Sequence, residues 1–209
     1  GFKRNDRFNY TPADPLYQTD FKNIVGGNVK GGANYNINEH HNVFVNAGYY
    51  SKQPFLTAVY PNFRSVVSGN LTNEKIRGFE AGYGFRSSIF NANVNVYNTN
   101  WKDRYERRND VSPTNPGGYF DFTGITEIHS GVELEANAKI TNKLKVNAMF
   151  SLGKWEYKGN SISNNYDASN NPIEGTVAQV LYLDKVKVGD AAQLTASIGA
   201  SYEVLTRVT

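Results

Sequence analysis

Along this 209-residue chain, small or apolar side chains alternate with polar ones in stretches of about nine to thirteen residues, most cleanly in residues 132–140 (VELEANAKI). Period-two alternation is the signature of a strand with one apolar and one polar face, and a tilted strand of this length crosses the apolar part of a bilayer. Strands are expected at residues 29–37, 43–51, 76–86, 90–105, 128–140, 144–157 and 191–204. Their connections alternate. Short polar turns such as Asn38-Glu39-His40-His41, Ser87-Ser88 and Thr141-Asn142-Lys143 follow every other strand, with a further turn expected at Leu205-Thr206-Arg207. Long excursions at residues 52–74, 106–123 and 158–190 fill the remaining gaps, with residues 177–188 as a further β-prone piece above the rim. Tight turns at one end and long loops at the other are the asymmetry of outer-membrane barrels.

If each strand takes the phase that best separates its residues, one face collects Val29, Ala33, Tyr35, Val43, Val45, Phe79, Ala81, Tyr83, Val94, Val96, Leu134, Val146, Phe150, Leu152, Leu194 and Ile198 and carries no charge or amide. The opposite face carries Lys30, Asn34, Asn46, Glu80, Arg86, Asn93, Asn95, Glu133, Glu135, Asn137, Lys139, Lys145, Asn147, Thr195 and Ser197, interrupted by glycines. A charge on the lipid face near the bilayer midplane costs about 2–4 kcal/mol, so an uncharged face is what lipid selects. A soluble β-sandwich yields a similar alternation with the apolar face as its core. Aromatics near the strand ends favour the membrane: Tyr49, Phe55, Trp101, Tyr105, Trp155 and Tyr157 on the loop side, and Tyr35, Phe85, Phe90 and Tyr202 on the turn side, are expected to form headgroup-level girdles.

Composition narrows the class. No run approaches the roughly 18 apolar residues of a membrane helix, and the chain has no cysteine, which removes disulfides and thiolate metal sites. A net charge of +3 from 22 basic and 19 acidic residues is too small to argue for nucleic acid as a partner. Residues 1–7 are polar and carry no cleavable apolar region, so a fragment without its own amino terminus is the expectation.

The motifs that could carry chemistry fall short of it. His129 shares a face with Glu133 and Glu135 while Ser130 points the other way, so no Ser–His dyad forms, and two carboxylates at i and i+2 are also what any polar wall contains. His40 and His41 lack a third ligand, residues 167–171 lack the glycine and glutamate of a calcium loop, and the glycines around Lys30 lack a Walker Ser or Thr. No catalytic, cofactor or metal site is expected. The aromatic and basic stretch Trp101, Lys102, Arg104, Tyr105 and Arg107, with Arg108, tops the fourth strand and is the candidate ligand-facing group. Glu80, Arg86, Glu133, Glu135, Lys139 and Lys145 are the candidates to face a plug or lumen.

Residues 28–54 (NVKGGANYNINEHHNVFVNAGYYSKQP), 73–87 (NEKIRGFEAGYGFRS), 93–104 (NVNVYNTNWKDR), 131–157 and 188–204 (VGDAAQLTASIGASYEV) together resemble the barrel of Bacteroidetes-type TonB-dependent outer-membrane receptors. The resemblance implies an all-β, antiparallel transmembrane barrel of about 22 strands around a plug, of which residues 1–209 would form one sector. It also implies import of a metal chelate, vitamin, glycan or peptide across the outer membrane of a Gram-negative bacterium. The partners it implies are outer-membrane lipid, the plug and remaining strands, the TonB complex through a segment outside this one, and a surface lipoprotein over the loops. A secreted or periplasmic sandwich module is the alternative; a barrel enzyme would need convergent Ser, His and acid groups that the chain does not offer.

Overall fold

The computed structural model describes residues 5, 10–19, 21–63, 67–69, 71–189 and 191–204; the turn expected at Leu205 to Arg207 lies outside them. Its strands are β1 (Gly27–Asn36), β2 (His41–Lys52), β3 (Glu74–Arg86), β4 (Phe90–Asn109), β5 (Tyr119–Lys139), β6 (Leu144–Tyr157), β7 (Ser161–Tyr166), β8 (Val180–Leu181) and β9 (Leu194–Tyr202). A short helical segment, α1 (Leu56–Val59), lies between β2 and β3, and no described helix is long and apolar enough to cross a membrane. All pairings are antiparallel in the order β1-β2-β3-β4-β5-β6-β9, and β1 and β9 leave the sheet open among the described residues.

Register tests the choice of phase that periodicity alone leaves free, because a slip of one residue would turn a strand's whole apolar set to the other face. The partners run Tyr35, Val43, Tyr83, Val94, Leu134, Phe150 and Ala196 in one unbroken row across the sheet. The next row runs Ala33, Val45, Ala81, Val96, Val132, Leu152 and Leu194. On the reverse face the rows read Asn42, Gly84, Asn93, Glu135, Met149 and Gly32, Asn46, Glu80, Tyr97, Gly131. The apolar band on β6 runs from Leu144 to Leu152; at about 3.3 Å per residue and a tilt of about 40° this spans roughly 20 Å, close to the apolar height of an outer-membrane barrel.

Among the described residues no second sheet covers that band. Val94, Leu134, Phe150 and Ile198 are 37, 38, 39 and 81% exposed, where a sandwich would bury them between layers. The buried core lies instead beyond the loop end of the strands. Phe122, Ile125 and Leu181 cluster there with Phe120, Tyr157 and Leu183, while Ala58, Val59 and Tyr60 are buried in the β2–β3 loop. That loop meets the β7–β8 region through hydrogen bonds from Asn170 Nδ2 to the Pro61 carbonyl (2.9 Å) and from Asn62 Nδ2 to the Ala168 carbonyl (3.5 Å).

Three expectations need correction. Residues 106–109 and 119–122 are strand, not loop: β4 and β5 run 20 and 21 residues and carry their ladder beyond the lipid-facing band. The charged run Glu106-Arg107-Arg108 hid this, since the cross-strand Arg107–Asp121 pair stands where an apolar alternation would have signalled strand. The excursion after β6 contains β7, paired with the top of β5, whereas the β-prone stretch at 177–188 contributes only Val180–Leu181. Finally, Trp101, Trp155 and Tyr157 occupy the polar face, as their register with Glu127 and His129 requires, so they belong to no lipid girdle. On the outer face the band ends at a polar row, Asn98 donating from Nδ2 to Ser130 Oγ at 2.7 Å and Lys154 beside it. The turn-side aromatics Tyr35, Phe85, Phe90 and Tyr202 do share the apolar face.

Candidate functional site

The polar face forms the concave side, and a cavity of about 1010 Å³ lies on it toward the loop end. Tyr50, Tyr97, Trp101, His129 and Trp155 line it together with Glu80, Glu133, Asn46 and Asn95. Alternation delivers these side chains from adjacent strands: β3 presents Ile76, Gly78 and Glu80, and β4 and β5 answer with Trp101, Thr99, Tyr97 and with Glu127, His129, Gly131. The rings lean along their own strands over glycines. A Cβ at Gly153 would sit 2.7 Å from the Trp155 indole nitrogen, and one at Gly48 would sit 2.9 Å from the Tyr50 ring. Glycine at i with an aromatic at i+2 is therefore what lets the rings lie along the wall.

A chain of polar contacts ties the rim of this cavity together. Lys52 pairs with the buried Glu74 at 2.9 Å, and Trp101 donates its Nε1–H to the same carboxylate at 3.1 Å. Arg104 lies over the Trp101 ring, 4.4 Å from its centroid, and pairs with Glu127, whose side chain is 1% exposed. Glu127 also contacts His129 Nε2 at 3.0 Å, His129 stacks on Trp155 with centroids 5.4 Å apart, and Trp155 donates to the Tyr97 hydroxyl at 2.9 Å. A buried carboxylate is tolerated only with such partners, and here every one at the rim has a cation or a donor.

The candidate ligand-facing residues divide among three places. Trp101 and Arg104 stand at the rim of the cavity. Lys102 is opposite Lys75 on the face that carries the apolar band, and Lys75 pairs with Asp103 at 2.7 Å. Tyr105 and Arg107 sit higher, above that band, where Tyr105 donates to Asp121 Oδ1 at 2.5 Å and Arg107 Nε to the same oxygen at 3.0 Å. Arg107 also lies 3.8 Å from the centroid of Tyr119, which stacks on Tyr166 at 5.0 Å. Burial, reinforced by the Asp121 charge, pushes the Tyr105 and Tyr119 phenols above their ordinary value; Arg107 is raised because Asp121 outweighs its desolvation.

Glu80, Arg86, Glu133, Glu135, Lys139 and Lys145 all fall on the polar face by register. Asn46 donates to Glu80 at 3.2 Å and Asn95 to Glu133 at 3.4 Å, while Lys139 and Lys145 stand directly opposite one another. Sequence reasoning passed over Lys52, Glu74, Tyr97, Asp121 and Glu127. Glu127 was within reach, since it precedes His129 by two residues and so shares its face. No group of three or more metal-ligating side chains assembles among the described residues.

A single antiparallel sheet with lipid-length strands, an uncharged apolar band on its outer face, a polar concave face, short turns at one end and a packed loop assembly at the other defines the wall of an outer-membrane-type β-barrel. The family model for the TonB dependent receptor-like β-barrel matches residues 4–207, and the chain belongs to that family. No curated protein and no solved structure matches it. Members of the family are outer-membrane transporters of Gram-negative bacteria, not enzymes, and import nutrients with a plug domain and TonB as partners.

Proposed function

We propose that this chain forms one sector of the wall of a receptor that actively carries a nutrient inward across the outer membrane. The unbroken apolar rows, each backed by a polar row on the concave side, carry this reading, because only lipid on one side and an aqueous or plug-filled lumen on the other suits both faces. Glu80, Arg86, Glu133, Glu135, Lys139 and Lys145 face the plug or lumen. Trp101 and Arg104 stand where an incoming ligand meets the wall, and Tyr105 and Arg107 hold the shape of the loop above it. Lys102 takes the outer side, at the height of lipid headgroups. TonB is engaged through another segment of the receptor, and a surface lipoprotein is a fitting partner for the loop assembly.

Cysteines placed singly at Val94, Ile198, Glu80 and Glu135 of the receptor in intact outer membranes test the assignment of faces. A membrane-impermeant maleimide is expected to spare positions 94 and 198, and denaturation of the plug is expected to open 80 and 135 to it. Ready labelling of 94 and 198 in sealed membranes would overturn the reading. Deleting the gene is expected to abolish growth on one limiting nutrient in a TonB-dependent manner, restored by the gene in trans.

A further inference from the structure

The cavity at the loop end of the concave face offers a particular mixture of chemistry. Both indole N–H groups are spent inside the protein, Trp101 on Glu74 and Trp155 on the Tyr97 hydroxyl. What these rings turn toward the cavity is therefore flat apolar surface with a negative face, not a donor. The polar groups beside them are mostly acceptors. Glu80 and Glu133 each take a single amide hydrogen, from Asn46 and Asn95. A carboxylate has room for about four hydrogen bonds, so most of that accepting capacity is open.

Charge narrows the ligand further. Lys52 and Arg104 at the rim are neutralised by Glu74 and Glu127, and among the described residues Lys30 is the one cation lining the cavity, against Glu80 and Glu133. An anionic ligand would meet two carboxylates on the wall. A cationic one would meet Lys30, and would find the face of the Trp101 ring already covered by Lys52 and Arg104. A neutral ligand rich in hydroxyl donors, with flat C–H faces to lay against the rings, satisfies the whole set at once.

We propose that this cavity is a subsite for a neutral carbohydrate, the pyranose faces packing on Trp155, Tyr97 and Tyr50 and the hydroxyls donating to Glu80 and Glu133. The proposal rests on the concave face being the lumen and names the class of cargo for that reading. The same mixture of a largely apolar aromatic lining with a few convergent polar groups is what small-molecule sites generally present.

The chain's two tryptophans both line the cavity, so the part of the receptor's indole emission that Trp155→Phe removes reports on it. The complete receptor, purified in detergent, is titrated with short neutral oligosaccharides of α-glucan, β-glucan, mannan and xylan type, with a sulfated oligosaccharide and tetralysine as the charged probes. At least one neutral oligosaccharide is expected to change the emission saturably. Trp155→Ala should weaken its binding about tenfold or more, as truncation of a central aromatic does. Trp155→Phe should keep most of the affinity, and Glu80→Gln and Glu133→Gln, which keep an acceptor oxygen, should change it less than about threefold. Heat-modifiable gel mobility verifies that each variant is folded, and Tyr97→Phe and Tyr50→Ala replace Trp155→Ala if that variant is not. Binding of the sulfated probe or of tetralysine in place of the neutral sugars overturns the proposal, as does a lysine-peptide response abolished by Glu80→Gln. Neutral-sugar binding indifferent to all three ring variants, or no binding by any probe, also overturns it. Cysteine labelling that places residues 80 and 135 in the lumen, together with failed sugar binding, would refute the cargo class while leaving the importer reading intact.

Discussion

The lower and upper parts of the same strands are held by different means. Below Ser130 and Asn98 the described residues of the wall form no buried core: cohesion is the hydrogen-bond ladder, and apolar side chains such as Leu134 and Phe150 are left exposed for the bilayer. Above that level the same two strands, β4 and β5, meet water, and there the molecule builds what a soluble protein builds, an apolar cluster at Phe122, Ile125 and Leu181 and an enclosed Arg107–Asp121 pair. A single sheet thus follows two rules of assembly because it stands in two solvents.

The largest effect expected from breaking this contrast comes from exchanging one side chain between faces. Leu134→Arg should cost about 2–4 kcal/mol of folding stability in lipid vesicles, while Glu135→Arg, its neighbour on the concave side, should cost well under half of that; denaturant titration by gel mobility measures both. Equal penalties would mean that the two faces see the same medium. Next, Asp121→Ala leaves Arg107 beside Tyr105 and Tyr119 without its counter-charge, and roughly 2–3 kcal/mol should be lost. Hydrogen exchange should localise that loss to β7 and the tops of β4 and β5 and leave the lower ladder protected. Gly153→Val forces the Trp155 ring away from the wall and should cost about 1–3 kcal/mol, with a shift in tryptophan emission as its sign.

The smallest effect is a titration. The Tyr105 and Tyr119 phenols are held above their ordinary value, first by burial and then by Asp121. A raised folded-state value means that their contribution is complete below about pH 10, the unfolded tyrosine range, and is lost only as pH rises through the folded value. Tyrosinate absorbance should therefore show these two ionising after the exposed tyrosines, and Tyr105→Phe should remove one late step. Early, uniform ionisation would show that the upper assembly is open to water.

What was legible in the sequence follows the same division. Where lipid acts as solvent, one face must be uncharged, and the alternation of Val132, Leu134, Ala136 and Ala138 with Glu133, Glu135 and Asn137 makes strand, phase and register readable. The bounds of β6, Leu144–Tyr157, could be read off directly. Above the membrane the signal fails because polar pairs such as Arg107 with Asp121 and Tyr119 with Tyr166 stabilise β4, β5 and β7 without any apolar period. The concave site was half visible. The phase rule placed Glu80, Glu133 and His129, but assigning Trp101 and Trp155 to a lipid girdle ignored that same rule. Trp155 shares its phase with Lys145 and Asn147, and Trp101 with Asn93 and Asn95.

Between the two regions the ladder slips twice, at Trp101/Arg104 and at Arg104/Glu106, with Asp103 and Gly124 both in the left-handed backbone region (φ 59° and 72°). Such bulges terminate one registration and begin another. The twin slip acts as a coupling joint: the register of the lipid-facing rows is set below it, and the reach and tilt of the upper β4–β5 ladder are set above it. A hairpin mounted on such a joint can change its length or pitch without moving the rows that face lipid.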